Sequence, residues 1–256
     1  MAFMLGNRMI EKVLAGYAED SKGGLLYLLD NLVDTVINIT AEANEHKDAD
    51  GNLVKKSYKN KSGTLEAKNA WVNTNIVAAT AGGTTTFASD SATITAPKIV
   101  ILSAGTTELA LEDGADAETI YVSSLDTGKA FTKGTGGSLT KGQYAVDGKK
   151  ITFAADEGQM VVKYDRTVKE GALIVNSADK FPTSCKLTLK VAYWDTCDKN
   201  TLKGCYVVIP SFQVSPEISL PLNAETQMDY KGDLETDYCG GEKVLYKFFD
   251  VADDED

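Results

Sequence analysis

Residues 212 to 222 read FQVSPEISLPL, a run that alternates along its whole length. Phe212, Val214, Ile218, Leu220 and Leu222 share one face with Pro216, while Gln213, Ser215, Glu217, Ser219 and Pro221 take the other. A period of two predicts a strand with one buried face. Two prolines confine such a strand to an edge or a bulge, because proline has no N–H to give the ladder. An edge whose only charge is Glu217 is open to pairing with another chain. Phe212, Val214, Ile218, Leu220 and Leu222 are therefore the candidate inter-subunit strand.

The same period recurs on either side. LTLKVAYW (187–194) sets Leu187, Leu189, Val191 and Tyr193 against Thr188, Lys190, Ala192 and Trp194, and KVLYKFFDV (243–251) reads as a final strand. Upstream, TVINITAEA (35–43) alternates and runs to Asp50-Gly51, a pair suited to the positive φ of a tight turn. A further strand is expected within 63–79, which holds Trp71. Met9, Ile10, Val13, Leu14 and Tyr17 have helical spacing, predicting an amphipathic helix over 7–18. LLYLLDNLV (25–33) fits helix or strand equally well.

Residues 80 to 96, rich in Gly, Ser, Thr and Ala, read as a connector. Beyond it lie short strands separated by glycine-containing turns: KIVIL (98–102), TELAL (107–111), TIYVS (119–123), QYAV (143–146), KITFA (150–154) and MVVKYD (160–165). This spacing predicts a small inserted β-sandwich. The expected chain is mainly β: a β-sandwich or barrel body, one or two short helices, and the insert. Its expected boundaries are 1–94 and 179–256 for the body and 95–178 for the insert.

The 256 residues are 43% hydrophobic and 25% charged, an ordinary globular balance. No apolar run approaches the length of a spanning helix, and Asn7, Arg8, Glu11 and Lys12 interrupt the first one, so neither a signal peptide nor an anchor is read. Acidic residues outnumber basic ones 37 to 26, for a formal charge of -11. That balance disfavours binding DNA by phosphate neutralisation, which needs clustered cations.

Recognisable chemistry is sparse. His46 is the single histidine, in a charged stretch that reads as solvated loop, and one imidazole builds neither a triad nor a multi-histidine metal site. Cys185, Cys197, Cys205 and Cys239 lack C-x-x-C spacing. They read as packing thiols, although Cys197 and Cys205 flank a loop that a disulfide would span. The Gly-rich stretch 128–142 lacks the phosphate-loop spacing, and Asp48, Asp50 and Asn52 imitate a calcium loop without its glycine register or its twelfth ligand. Trp71 and Trp194 read as packing residues within strands. No catalytic, cofactor-binding or metal-binding residue is assigned, no cofactor is expected, and the chain is read as a non-enzyme.

Three stretches carry a family resemblance: DTVINITAEANEHKDADGNLVKKSYKNKSGTLEAKNAWVNTNIVAATAGG (34–83), GQYAVDGKKITFAADEGQMVVKYDRT (142–167), and residues 180–234, which run from KFPTSCKLTLKVAYW to QMDYKGDL. In their order and turn chemistry they resemble bacteriophage tail tube proteins. The resemblance implies hexameric rings whose subunits each add strands to a continuous inner β-barrel, stacked into a tube through which DNA passes without specific binding. It implies an Ig-like insert outside the tube wall, other phage tail proteins as partners, no membrane, assembly in the host cytoplasm and residence in the virion. A negatively charged lumen would let DNA slide. The alternatives are a capsid decoration or other head-associated protein, and a carbohydrate-binding adhesin module.

Overall fold

A computed structural model describes residues 8–82, 85–135, 138–195, 202–223, 227–236 and 243–254. The chain is mainly β, and it divides into two compact units: Met1–Thr84 with Ile174–Asp256, and Thr85–Leu173. The sequence-based boundaries, 95 and 178, fall ten and five residues later than those at 85 and 173.

The first unit opens with β1 (Arg8–Glu19), β2 (Leu25–Leu29), β3 (Leu32–Lys47), β4 (Leu53–Asn69) and α1 (Thr74–Ala81). The second holds β5 (Thr85–Phe87), β6 (Ile94–Leu102), β7 (Glu108–Ala110), a 3₁₀ turn at Ala117–Thr119, β8 (Tyr121–Ser124), β9 (Thr132–Lys133), β10 (Gln143–Asp147), β11 (Lys150–Phe153) and β12 (Met160–Val168). β13 (Ala172–Ile174) pairs with β5, and the first unit resumes with β14 (Cys185–Asp195), β15 (Leu202–Val214), β16 (Met228–Leu234) and β17 (Lys247–Asp254).

Eight strands form one sheet in the order β2-β1-β14-β15-β16-β4-β3, with β17 added beside β15. Every recorded pairing in it is antiparallel, and it is an open sheet rather than a closed barrel. β15 holds two partners along one edge. Its residues 203–208 pair with β17 and its residues 212–214 pair with β16. Between them, the ladder to β14 slips by one residue around Pro210 and Ser211, since Leu187 faces Ile209 but Cys185 faces Phe212. A bulge is where a strand interior accepts proline.

The amphipathic helix expected over 7–18 is instead β1. Its ladder to β14 shifts between Ile10 and Lys12 and again between Val13 and Ala15. Each shift reverses the alternation, so apolar residues at 9, 10, 13, 14 and 17 imitate helical spacing. The ambiguous segment 25–33 also resolves to strand, with Tyr27 and Leu29 buried and Leu25, Leu26 and Leu28 exposed. The strand expected through 79 stops at Asn69 and gives way to α1. Asn73 caps that helix, its side chain accepting from the N–H of Asn75, and Gly82 ends it at φ 59. A Cβ at Gly82 would lie 2.2 Å from the backbone of Phe181.

The core of the first unit gathers Leu29, Leu65, Ile76, Leu187, Leu189, Tyr193, Ile209, Phe212 and Tyr230, so strands and helix close over one apolar interior. In the second unit the six short strands expected there all form. β6-β12-β8 and β7-β11-β10-β9 are its two larger sheets, and Val122, Met160, Val162 and Tyr164 from the one share a core with Tyr144, Ile151 and Phe153 from the other. Pro97 is tolerated because β6 is an edge strand.

Candidate assembly surface

β4 pairs with β3 along nearly its whole length, but with β16 only from Gly63 to Asn69. Residues 40–62 therefore form a two-stranded ribbon, here called the arm, whose outer edges carry no neighbouring strand among the described residues. All of these residues except the half-buried Ser57 are exposed. The arm ends abruptly at its base: Gly63 is buried, and a Cβ there would lie 2.8 Å from Ile39 Cδ1 and 3.1 Å from a Leu234 methyl. Just outside the core, Thr40 faces Ser62 but Glu42 faces Lys59, so β4 carries a bulge at Asn60, which adopts φ 51. Asparagine tolerates that left-handed geometry, and a bulge there re-aims the arm as it leaves the core.

An isolated two-stranded hairpin is marginal in water. Local polar contacts hold this one. Thr40 and Ser62 hydroxyls lie 3.0 Å apart, and Asn60 Nδ2 donates to Glu42 Oε2 at 2.8 Å. Lys56–Glu45 (3.5 Å) and Lys59–Glu42 (3.9 Å) bridge the strands, as exposed pairs of small worth. At the tip, Asp48 Oδ1 accepts from the N–H groups of Asp50 and Asn52, at 3.0 and 2.8 Å. Those hydrogen bonds, Asn52's foremost, hold the Asp48 carboxyl below its ordinary range. The calcium-like residues thus make an Asx-type turn, completed by Gly51 at φ 85. Tyr58 and Val54 remain 68% and 69% exposed. The arm itself has no surface to bury them against.

The alternating run at 212–222 does not continue as one strand. β15 ends at Val214, and the ladder's last donor is the Ser215 N–H, bonded to the Lys231 carbonyl. Pro216 offers no N–H, and that of Glu217 turns back to Ser215 Oγ at 3.2 Å. Phe212 and Val214 are buried in their own core opposite Leu234 and Gly232, and Ile218 packs half-buried against that core. Leu220 and Leu222 are exposed, Leu222 at 91%.

The other residues singled out are scattered. His46 lies in β3 rather than in a loop, exposed on the arm opposite Lys55. Trp71 lies outside any strand, 68% exposed between β4 and α1. Trp194 is in β14, its Nε1 donating to Glu11 at 3.0 Å. Cys185 and Cys205 are buried free thiols whose burial pushes their pKa values up, while Cys197 and Cys239 lie outside the described residues. In the Gly-rich segment, the Gly142 N–H donates to the buried Glu157 carboxylate. Among the described residues no helix is long and apolar enough to cross a membrane.

The arm is the surface that the sequence reading passed over. Its signal was present: in residues 41–62 the few apolar side chains, Leu53, Val54 and Tyr58, are divided between two otherwise polar faces, without the single apolar face of a half-buried strand.

No curated protein matches the chain. The family profile of the YomU/Tube proteins matches residues 8–236, and the chain belongs to this family of phage tail tube proteins.

Proposed function

We propose that the chain is the repeating subunit of a phage tail tube, assembling into stacked hexameric rings whose lumen conducts DNA during genome ejection. The observation that carries this reading is the arm: a ribbon with two open edges and exposed Leu53, Val54 and Tyr58, attached to a well-packed body. Open edges and exposed apolar side chains are liabilities in a monomer, and they favour pairing with another copy. Leu220 and Leu222 are the part of the candidate inter-subunit run left available for such contacts. The middle unit contributes no strand to the eight-stranded sheet, which fits a module outside the tube wall. The formal charge of -11 favours a lumen that repels the DNA backbone.

Electron microscopy of the purified full-length protein tests this. Hollow tubes of uniform diameter are expected as concentration rises. Closed shells would favour the head-protein reading, and a monomer at every concentration would sink the tube.

A further inference from the structure

In the second unit, the hydrogen bonds of β12 reveal which main-chain groups β6 leaves unpaired. The Asp165 N–H donates to Thr119 Oγ1 at 2.8 Å, its carbonyl accepts from the Asp116 N–H, and the Thr167 N–H donates to the Gly114 carbonyl. Asp165 and Thr167 thus turn their main-chain groups away from β6, so Pro97 and Thr95 opposite them form non-hydrogen-bonded pairs. Alternation extends this to Ile99, opposite Lys163, and Ile101, opposite Val161. The N–H groups of Thr95, Ile99 and Ile101 and the carbonyls of Thr95, Pro97, Ile99 and Ile101 therefore point to the far edge of β6, where no strand lies among the described residues.

The side chains of these four residues face outward, and none is charged. Native edges of such length are guarded by charge, covered, or used. Lys98 offers no guard, because it is turned to the other face and held by Glu112 at 2.7 Å. On the outer face the registers set two rows across the sheet, Tyr121–Lys163–Ile99 and Ser123–Val161–Ile101. Ile99 and Ile101 are 63% and 69% exposed, and Tyr121 is exposed beside them. Lys163 stands exposed between Tyr121 and Ile99 without an ion pair among the described residues, and the half-buried Asp165, the next charge on this face, lies beside Pro97.

We infer that the β6 edge docks an extended segment of another protein, one that sets a glutamate opposite Ile99 and a β-branched residue opposite Ile101. Strand addition takes its affinity from main-chain hydrogen bonds and its specificity from alternate side chains. The β-branched residue extends the row of Val161 and Ile101, an apolar cross-strand contact. The glutamate extends the row of Lys163 and Ile99. Its Cα stands two strand spacings from that of Lys163, about 10 Å, a gap that the two long side chains close over Ile99. A second copy joined edge to edge would match isoleucine with isoleucine but bring no carboxylate to Lys163. The open edge of β7 is a poorer receiver, since it is three residues long and its Glu108 is already held by Lys150. Tube assembly is not required, because every group involved belongs to the second unit.

The test is fluorescence anisotropy of two labelled peptides, TTVTETT and TTVTKTT, titrated with the full-length protein. The glutamate peptide is expected to bind about tenfold more tightly than the lysine peptide, and Lys163→Glu is expected to reverse that order. Ile99→Pro removes one N–H from the open edge and spares the ladder to β12, as Pro97 already does. It is expected to abolish binding of the glutamate peptide with the circular dichroism spectrum unchanged. Equal binding of the two peptides, binding of neither at millimolar concentration, an order that Lys163→Glu leaves as it was, or full binding to the proline variant overturns the inference. So does a loss of self-association on Ile99→Pro in sedimentation with no peptide bound, which would assign the edge to a second copy of the chain.

Discussion

The hydroxyls of Tyr27 and Tyr230 meet at 3.1 Å inside the first unit, although β2 and β16 are four places apart in the sheet. In a flat sheet that separation would be about 19 Å, at about 4.8 Å per strand. The sheet must therefore curl until its flank folds over its middle. The buried pair locks that curvature, with Cys185 Sγ 3.7 Å from the Tyr27 oxygen.

Tyr27→Phe leaves the Tyr230 hydroxyl short of a partner in the core, and about 1–3 kcal/mol of stability should be lost in urea unfolding. Tyr27→Phe with Tyr230→Phe removes both polar ends, so the double variant should lose less than the sum of the singles.

Burial raises the pKa of both phenols, and it is the foremost cause for each. A folded-state pKa above the unfolded value means that the stabilisation is complete below about pH 10 and fades as pH rises toward the folded value. Wild-type melting temperature should fall above about pH 10, and less steeply in the double Phe variant.

The sign is opposite at the arm tip. The Asp48 pKa is depressed by hydrogen bonds from Asn52, so its contribution is present at neutral pH. It fades as pH drops below about 4 and through the lower folded value. The protection factor of the Asn52 amide, its exchange measured against the intrinsic rate at the same pH, should fall on acidification. Asp48→Ala should give the same loss of protection at neutral pH.

Asn60→Val places a β-branched residue at φ 51, a strain of about 1–3 kcal/mol confined to the arm's base. Asn60→Gly keeps that geometry and loses only the bond to Glu42. The valine variant should assemble poorly while its body melts normally, and the glycine variant should still assemble. Microscopy and calorimetry together check this.

Phe212 and Leu222 share a face in the sequence pattern but not in the folded chain. Phe212→Ala empties a buried site beside the Tyr230 ring, whose centroid is 5.8 Å away, and should cost about 3–5 kcal/mol in chemical denaturation. Leu222→Asp alters a residue that is 91% exposed. It should leave stability unchanged and reduce self-association measured by sedimentation.

The short strands of the second unit were legible because glycine-containing turns bound each short run. β3 and β14 were legible by their alternation. β1 was hidden by two register shifts that scramble its alternation. α1 was hidden by β-branched Thr74, Ile76 and Val77, although its cap, Asn73, and its stop, Gly82, stand in plain view. The run at 212–222 kept its period past the point where Pro216 ended its hydrogen bonding. Periodicity reports which side chains share a side, and an N–H count is needed to say where the ladder stops. The arm escaped notice because strand readings look for one apolar face, and here Leu53, Val54 and Tyr58 are divided between two otherwise polar faces.

The β5–β13 pairing brings residues 85–87 beside 172–174, so the middle unit enters and leaves through one narrow gate. A gene segment encoding it is bounded by two neighbouring points in space. Replacing the segment between those points would break no ladder of the eight-stranded sheet.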